Sequence, residues 1–69
     1  MQIRYVKNID VLNIDLGEGK FDYSEELAEG IILDISKEGE ILSIEVVDAS
    51  KRLRKEIMEK LAKKYLARV

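Results

Sequence analysis

Hydrophobic positions recur along this chain with two different periods. Over residues 2–6 (QIRYV) Ile3 and Tyr5 fall on one side, and over residues 11–16 (VLNIDL) Leu12, Ile14 and Leu16 do the same, the period-two pattern of β-strands. Between them lie Asn8 and Asp10, residue types that tolerate turn conformations, so the pair predicts a short antiparallel hairpin. Residues 30–35 (GIILDI) and 41–47 (ILSIEVV) predict a second hairpin around SKEGE, where Gly39 supplies the positive φ of the turn. Ile31, Leu33 and Ile35 then share a face with Leu42, Ile44 and Val46, while Asp34, Ser43 and Glu45 take the other. One apolar and one polar face predict an antiparallel sheet covered on a single side.

The stretch GEGKFDYSEELAEG holds three of the four glycines and a cluster of acids, and reads as a connection with one helical turn, for which Asp22 and Glu25 fit a capping box. From Asp48 onward the period changes. DASKRLRKEIMEKLAKKYLARV has no glycine and is filled with strong helix formers, so it predicts one continuous helix, with Asp48 or Ser50 as N-cap. Glu56 and Lys60, and Glu59 and Lys63, stand as i,i+4 pairs along it. The predicted fold is α+β in a single domain, residues 1–69. A four-stranded antiparallel sheet of two hairpins (1–47) is followed by one long C-terminal helix (48–69) packed on one face.

Two features go beyond a generic small domain. At about 100° per residue, Leu53 and Ile57 share an azimuth that Lys60 and Lys64 occupy further along, whereas Met58, Leu61, Ala62, Tyr65, Leu66 and Val69 form a wide arc turned well away from it. A continuous helix of that length would also overrun strands of about six residues. The arc is therefore read as a partner or dimer interface. A chain this small has little core of its own, and a homodimer is the commonest remedy. Charge is the second feature. Residues 1–50 contain four Lys/Arg and twelve Asp/Glu, net −8, and residues 51–69 contain eight and two, net +6. Lys51, Arg52, Arg54 and Lys55 sit in the first helical turns against the macrodipole, so acids are expected nearby. Those are either the chain's own loop and sheet rim, or an anionic partner touching Arg52, Arg54 and Lys55.

Composition narrows the chemistry. Cys, His and Pro are absent, which removes disulfides, zinc sites and imidazole bases. GEG at Gly17–Gly19 lacks the Lys-Ser/Thr of a phosphate loop, and Asp22, Ser24, Glu25, Glu26 and Glu29 lack calcium-loop spacing. No catalytic residue, metal or cofactor is expected, and the protein reads as a non-enzyme. No apolar run is long enough for a membrane span, and the N-terminus lacks the apolar core of a secretory signal, so a cytoplasmic location is expected. Abundant Glu, Lys, Arg and Ile with few amides fit a thermophile's composition. A nucleic-acid-binding or regulatory dimer using Arg52, Arg54, Lys55, Lys63 and Lys64 is the alternative function, although Glu56 and Glu59 interrupt those cations and the overall charge is acidic.

EGIILDISKEGEILSIEVVDASKRL, residues 29–53, resembles the signature of the domain-of-unknown-function family twenty-two eighty-three. The likeness runs through Glu29, Gly30, Asp34, Gly39, Ile44, Glu45, Asp48, Ala49, Ser50, Lys51 and Arg52, and upstream through Ile3, Tyr5, Asp10, Leu12 and Ile14. Ser43 stands where the family usually has glycine, and the helix after Arg52 is longer than in many members. The resemblance implies no activity. It implies an antitoxin-like role beside a small basic toxin, and a structural role for the signature residues.

Overall fold

The structure, a computed structural model, describes residues 1–67, so Val69 of the predicted interface lies outside the described residues. Five strands form one antiparallel sheet: β1 (Gln2–Val6), β2 (Val11–Asp15), β3 (Phe21–Ala28), β4 (Ile31–Ser36) and β5 (Ile41–Val47). Their spatial order is β1-β2-β5-β4-β3. The hairpin β1–β2 is thus joined to the meander β3–β4–β5 through the β2–β5 pair. Two helices follow, α1 (Ala49–Arg52) and α2 (Lys55–Tyr65).

Both predicted hairpins form, with Asp10 at φ 54° and Gly39 at φ 84° in their turns. The four-stranded expectation is overturned by β3, which replaces the predicted connection and helical turn. Asp22 and Glu25 are therefore strand residues, not a capping box. β3 escapes a periodicity search because the alternation of Phe21 and Tyr23 is broken at once by Glu25 and Glu26, and all eight of its residues are exposed. Glu29 and Gly30 turn the chain tightly into β4, and Gly30 adopts φ 77° there.

The single long helix is also overturned. Leu53 and Arg54 are extended, at ψ 147° and 146°, and split the segment in two. No glycine or proline causes the break; packing does. In one continuous helix Leu53 and Met58 would point in directions about 140° apart at 100° per residue. The extended pair lets Leu53 from below and Met58, Leu61 and Ala62 from α2 pack on the same core. It also leaves α2 at eleven residues, about 16 Å, the length of the strands beneath it.

Register places two apolar rows on the helix side of the sheet. One runs Ile3, Ile14, Ile44, Leu33 and ends at Glu25; the other runs Tyr5, Leu12, Val46, Ile31 and ends at Ala28. The core is built where the helices meet these rows: Tyr5, Leu12, Val46, Ala49 and Met58 are buried, with Ile3, Ile14 and Ile31 packed beside them. α2 lies against β1, at one side of the sheet, and the cover stops short of β3. On the opposite face Asp34 accepts hydrogen bonds from Ser24 Oγ and Ser43 Oγ, each at 2.7 Å, and so ties β3, β4 and β5 together. Ser43 thereby has a bonding role.

The two sheet edges differ. Along β1, Ala67 N donates to Tyr5 O at 2.8 Å and Leu66 bridges Tyr5, so the chain itself covers that edge at Tyr5. β3 forms the other edge, and among the described residues its outer side pairs with no strand. Among the described residues no helix is long and apolar enough to cross a membrane.

Candidate functional site

Residues far apart in sequence converge at the end of the sheet where β5 enters α1. Asp10, held at φ 54°, directs its carboxylate at the start of α1. It accepts from Ser50 Oγ at 2.6 Å, from Ser50 N at 3.1 Å and from Tyr5 Oη at 2.7 Å, and its backbone carbonyl accepts from Ala49 N at 2.9 Å. The Ser50 hydroxyl first, and the Tyr5 hydroxyl second, hold the Asp10 carboxyl below the ordinary aspartate range. The same bond to Asp10, helped by burial, pushes the Tyr5 phenol up.

Asp10 therefore supplies the cap predicted for Asp48 or Ser50. Asp48 occupies the N-cap position of α1 at φ 54°, but its side chain makes no capping bond. Ser50 is inside the first turn and donates instead of accepting. A capping side chain forty positions upstream of its helix leaves no local sequence signal. Ala49 is fully buried and part of the core. Arg52 Nε donates to Val47 O at 2.8 Å and passes directly over Gly30, whose amide plane leaves room that a Cβ would fill.

A family profile described as protein of unknown function (DUF2283) matches residues 2–50. The chain belongs to this family. Neither a curated protein nor a solved structure matches it. The DUF2283 match spans the five strands and the first residues of α1, so Tyr5, Asp10, Gly30, Ala49 and Ser50 all belong to the family portion, whereas α2 lies beyond it. Each of those residues makes a contact that holds strand, turn and helix in register, which is a structural use of the signature.

The remaining predicted positions lie elsewhere. Met58 is buried, Leu61, Ala62 and Tyr65 are half-buried, and Leu66 is exposed. Tyr5, Met58, Ala62 and Leu66, with Lys7, Glu59 and Lys63 at the rim, line an open cleft of about 390 Å³ between α2 and β1. Arg54 pairs with Glu56 at 3.4 Å on the surface, and Lys55 is exposed at the start of α2. That pair is the only ion pair among the described residues, so neither Glu56 with Lys60 nor Glu59 with Lys63 closes. Helix α2 does not meet the acidic strand either. α2 sits at the β1 side, and Asp22, Glu25 and Glu26 lie on β3 at the far edge. Among the described residues no group of three or more His, Cys, Asp or Glu side chains is placed to hold a metal ion.

Proposed function

We propose that this protein is a non-catalytic interaction module whose working surface is the open edge of β3, and that the edge takes an extended segment of a small basic protein. The difference between the two edges carries this reading: β1 is covered at Tyr5 by Leu66–Ala67, while among the described residues nothing pairs with the outer side of β3, whose three carboxylates hold no cation. An added strand gains main-chain hydrogen bonds, and the carboxylates favour a cationic segment and reject an acidic one. Pairing with the β3 of another copy is opposed by like charges and by the register shifts at Asp22 and Leu27. An antitoxin-like role, implied by the family resemblance, is the biological form in which such an edge would mask a small basic toxin. Carboxylates spread along an open strand, with no enclosing cavity and no histidine or cysteine in the chain, support a non-enzymatic role.

The test is hydrogen exchange on the protein mixed with the purified product of the reading frame beside its gene. Complex formation should protect the outward amides of β3, and Asp22→Lys with Glu26→Lys should abolish binding. Protection confined to α2, or no complex at all, would refute the reading.

A further inference from the structure

We propose that the segment accepted by β3 is read position by position. It runs antiparallel to β3, carries cations at two adjacent positions, against Glu26 and then Glu25, and has an apolar residue two positions further on, against Tyr23. This deepens the edge reading above and rests on it.

Hydrogen bonding fixes which backbone groups this edge offers. Val47 N donates to Gly30 O at 2.8 Å, so the Gly30 carbonyl points at β5, and the N–H of Ile31, across the same planar peptide, points at β3. Backbone groups alternate sides along an antiparallel strand, so Leu33 and Ile35 also turn toward β3, where register sets them against Glu25 and Tyr23. Tyr23 and Glu25 therefore face inward, and Ser24 and Glu26 direct their N–H and C=O groups outward. The same alternation carried through β5 and β2 turns Tyr5 outward on β1, which is where Ala67 N bonds the Tyr5 carbonyl.

Side chains divide between the two faces of the sheet. Ser24 lies on the face away from the helices, its hydroxyl given to Asp34, and Glu26 shares that face. Glu25 and Tyr23 lie on the helix face, opposite Leu33 and Ile35. Two neighbouring carboxylates thus stand on opposite faces of one strand, and among the described residues neither holds a cation. Tyr23 is 48% exposed.

Register shifts on either side of Tyr23–Glu26 confine regular pairing to this stretch. A short antiparallel segment bonds both Ser24 and Glu26 within it. Parallel bonds slant and would have to reach Leu27, where the ladder is interrupted. Directly opposite residues share a face, so the partner residue against Glu26 and the next one, against Glu25, each stand beside a carboxylate, where a cation is favoured. The residue against Ser24 meets a hydroxyl already committed to Asp34. The one against Tyr23 meets an aromatic ring, which a β-branched or aromatic side chain covers. A basic amphipathic strand, with a cation at every second residue, would serve only one of the two glutamates.

Two capped synthetic peptides of one composition test this order: Gly-Ser-Lys-Arg-Thr-Ile-Ser-Gly, with the cations adjacent, and Gly-Ser-Lys-Thr-Arg-Ile-Ser-Gly, with the cations separated. Titration of the full chain at low salt, followed by nuclear magnetic resonance, reads weak binding at each amide. The first peptide should shift the amides of Ser24 and Glu26 and bind about threefold more tightly than the second. Glu25→Gln should remove that preference with unchanged far-UV circular dichroism, since Glu25 is exposed. Equal affinities for wild type, with Ser24 and Glu26 shifted by both peptides, would overturn the positional rule and leave the open edge standing as the binding surface. Ser24 and Glu26 amides unmoved by either peptide would overturn the edge reading and this inference together.

Discussion

Replacing Asp10 by asparagine removes charge from the side chain that joins the first hairpin to α1, while keeping a residue type that tolerates its φ of 54°. One amide group of asparagine cannot accept from Tyr5 Oη, Ser50 Oγ and Ser50 N together, because one of its two heteroatoms is itself a donor. Loss of the cap costs about 1 kcal/mol. Loss of a hydroxyl bond to a charged acceptor costs about another 1 kcal/mol after allowance for partial exposure. A domain of this size has a total stability of about 3 to 10 kcal/mol, so about 2 kcal/mol is a large share. It should lower the thermal midpoint by roughly 8 to 16 °C. Thermal and urea melts by circular dichroism, at one protein concentration, measure it; Tyr5→Phe and Ser50→Ala should each lose part, and the double variant should show coupling. Acid titration adds a second readout. Because the folded carboxyl titrates below its ordinary value, its contribution is present above about pH 3.9 and lost as pH falls through the folded value. The raised Tyr5 phenol acts at the other end: its contribution holds below about pH 10 and is lost as pH rises through the folded value. Asp10→Asn should flatten the acid limb. A variant within about 0.5 kcal/mol of wild type, with the acid limb unchanged, would refute the capping account.

Gly30→Ala meets two obstacles, a φ of 77° and the Arg52 side chain, and should destabilise by about 1 to 3 kcal/mol. In an Arg52→Ala background the steric part should disappear and the cost of Gly30→Ala should fall; an equal cost in both backgrounds would remove Arg52 from the explanation. Ser43→Ala deletes one of two hydroxyl donors to Asp34 and should cost about 0.5 to 1.5 kcal/mol in urea unfolding, and Ser43→Gly should cost more through backbone freedom. No change in either variant would leave Ser43 without a bonding role.

Alternation was enough to place β1, β2, β4 and β5, because each of those strands repeats apolar residues at every second position. β3 shows both sides to water, and its Ser-Glu-Glu-Leu-Ala reads locally as helix or loop; pairing with β4 overrides that preference. The Glu29–Gly30 turn before an apolar run was its one local signal. Likewise nothing in residues 49–67 marks a helix break, since every residue there is an acceptable helix former. The drifting apolar stripe was real, but it records a change of direction at Leu53–Arg54. Side-chain periodicity and turn chemistry are properties of neighbours along the chain, and they sufficed for two hairpins, their inward faces and the acidic-to-basic division of charge. Strand order, the Asp10 cap on a helix forty residues away and the separation of β3 from α2 depend on groups that meet only after the chain has folded, where burial and non-local hydrogen bonds outweigh local preference.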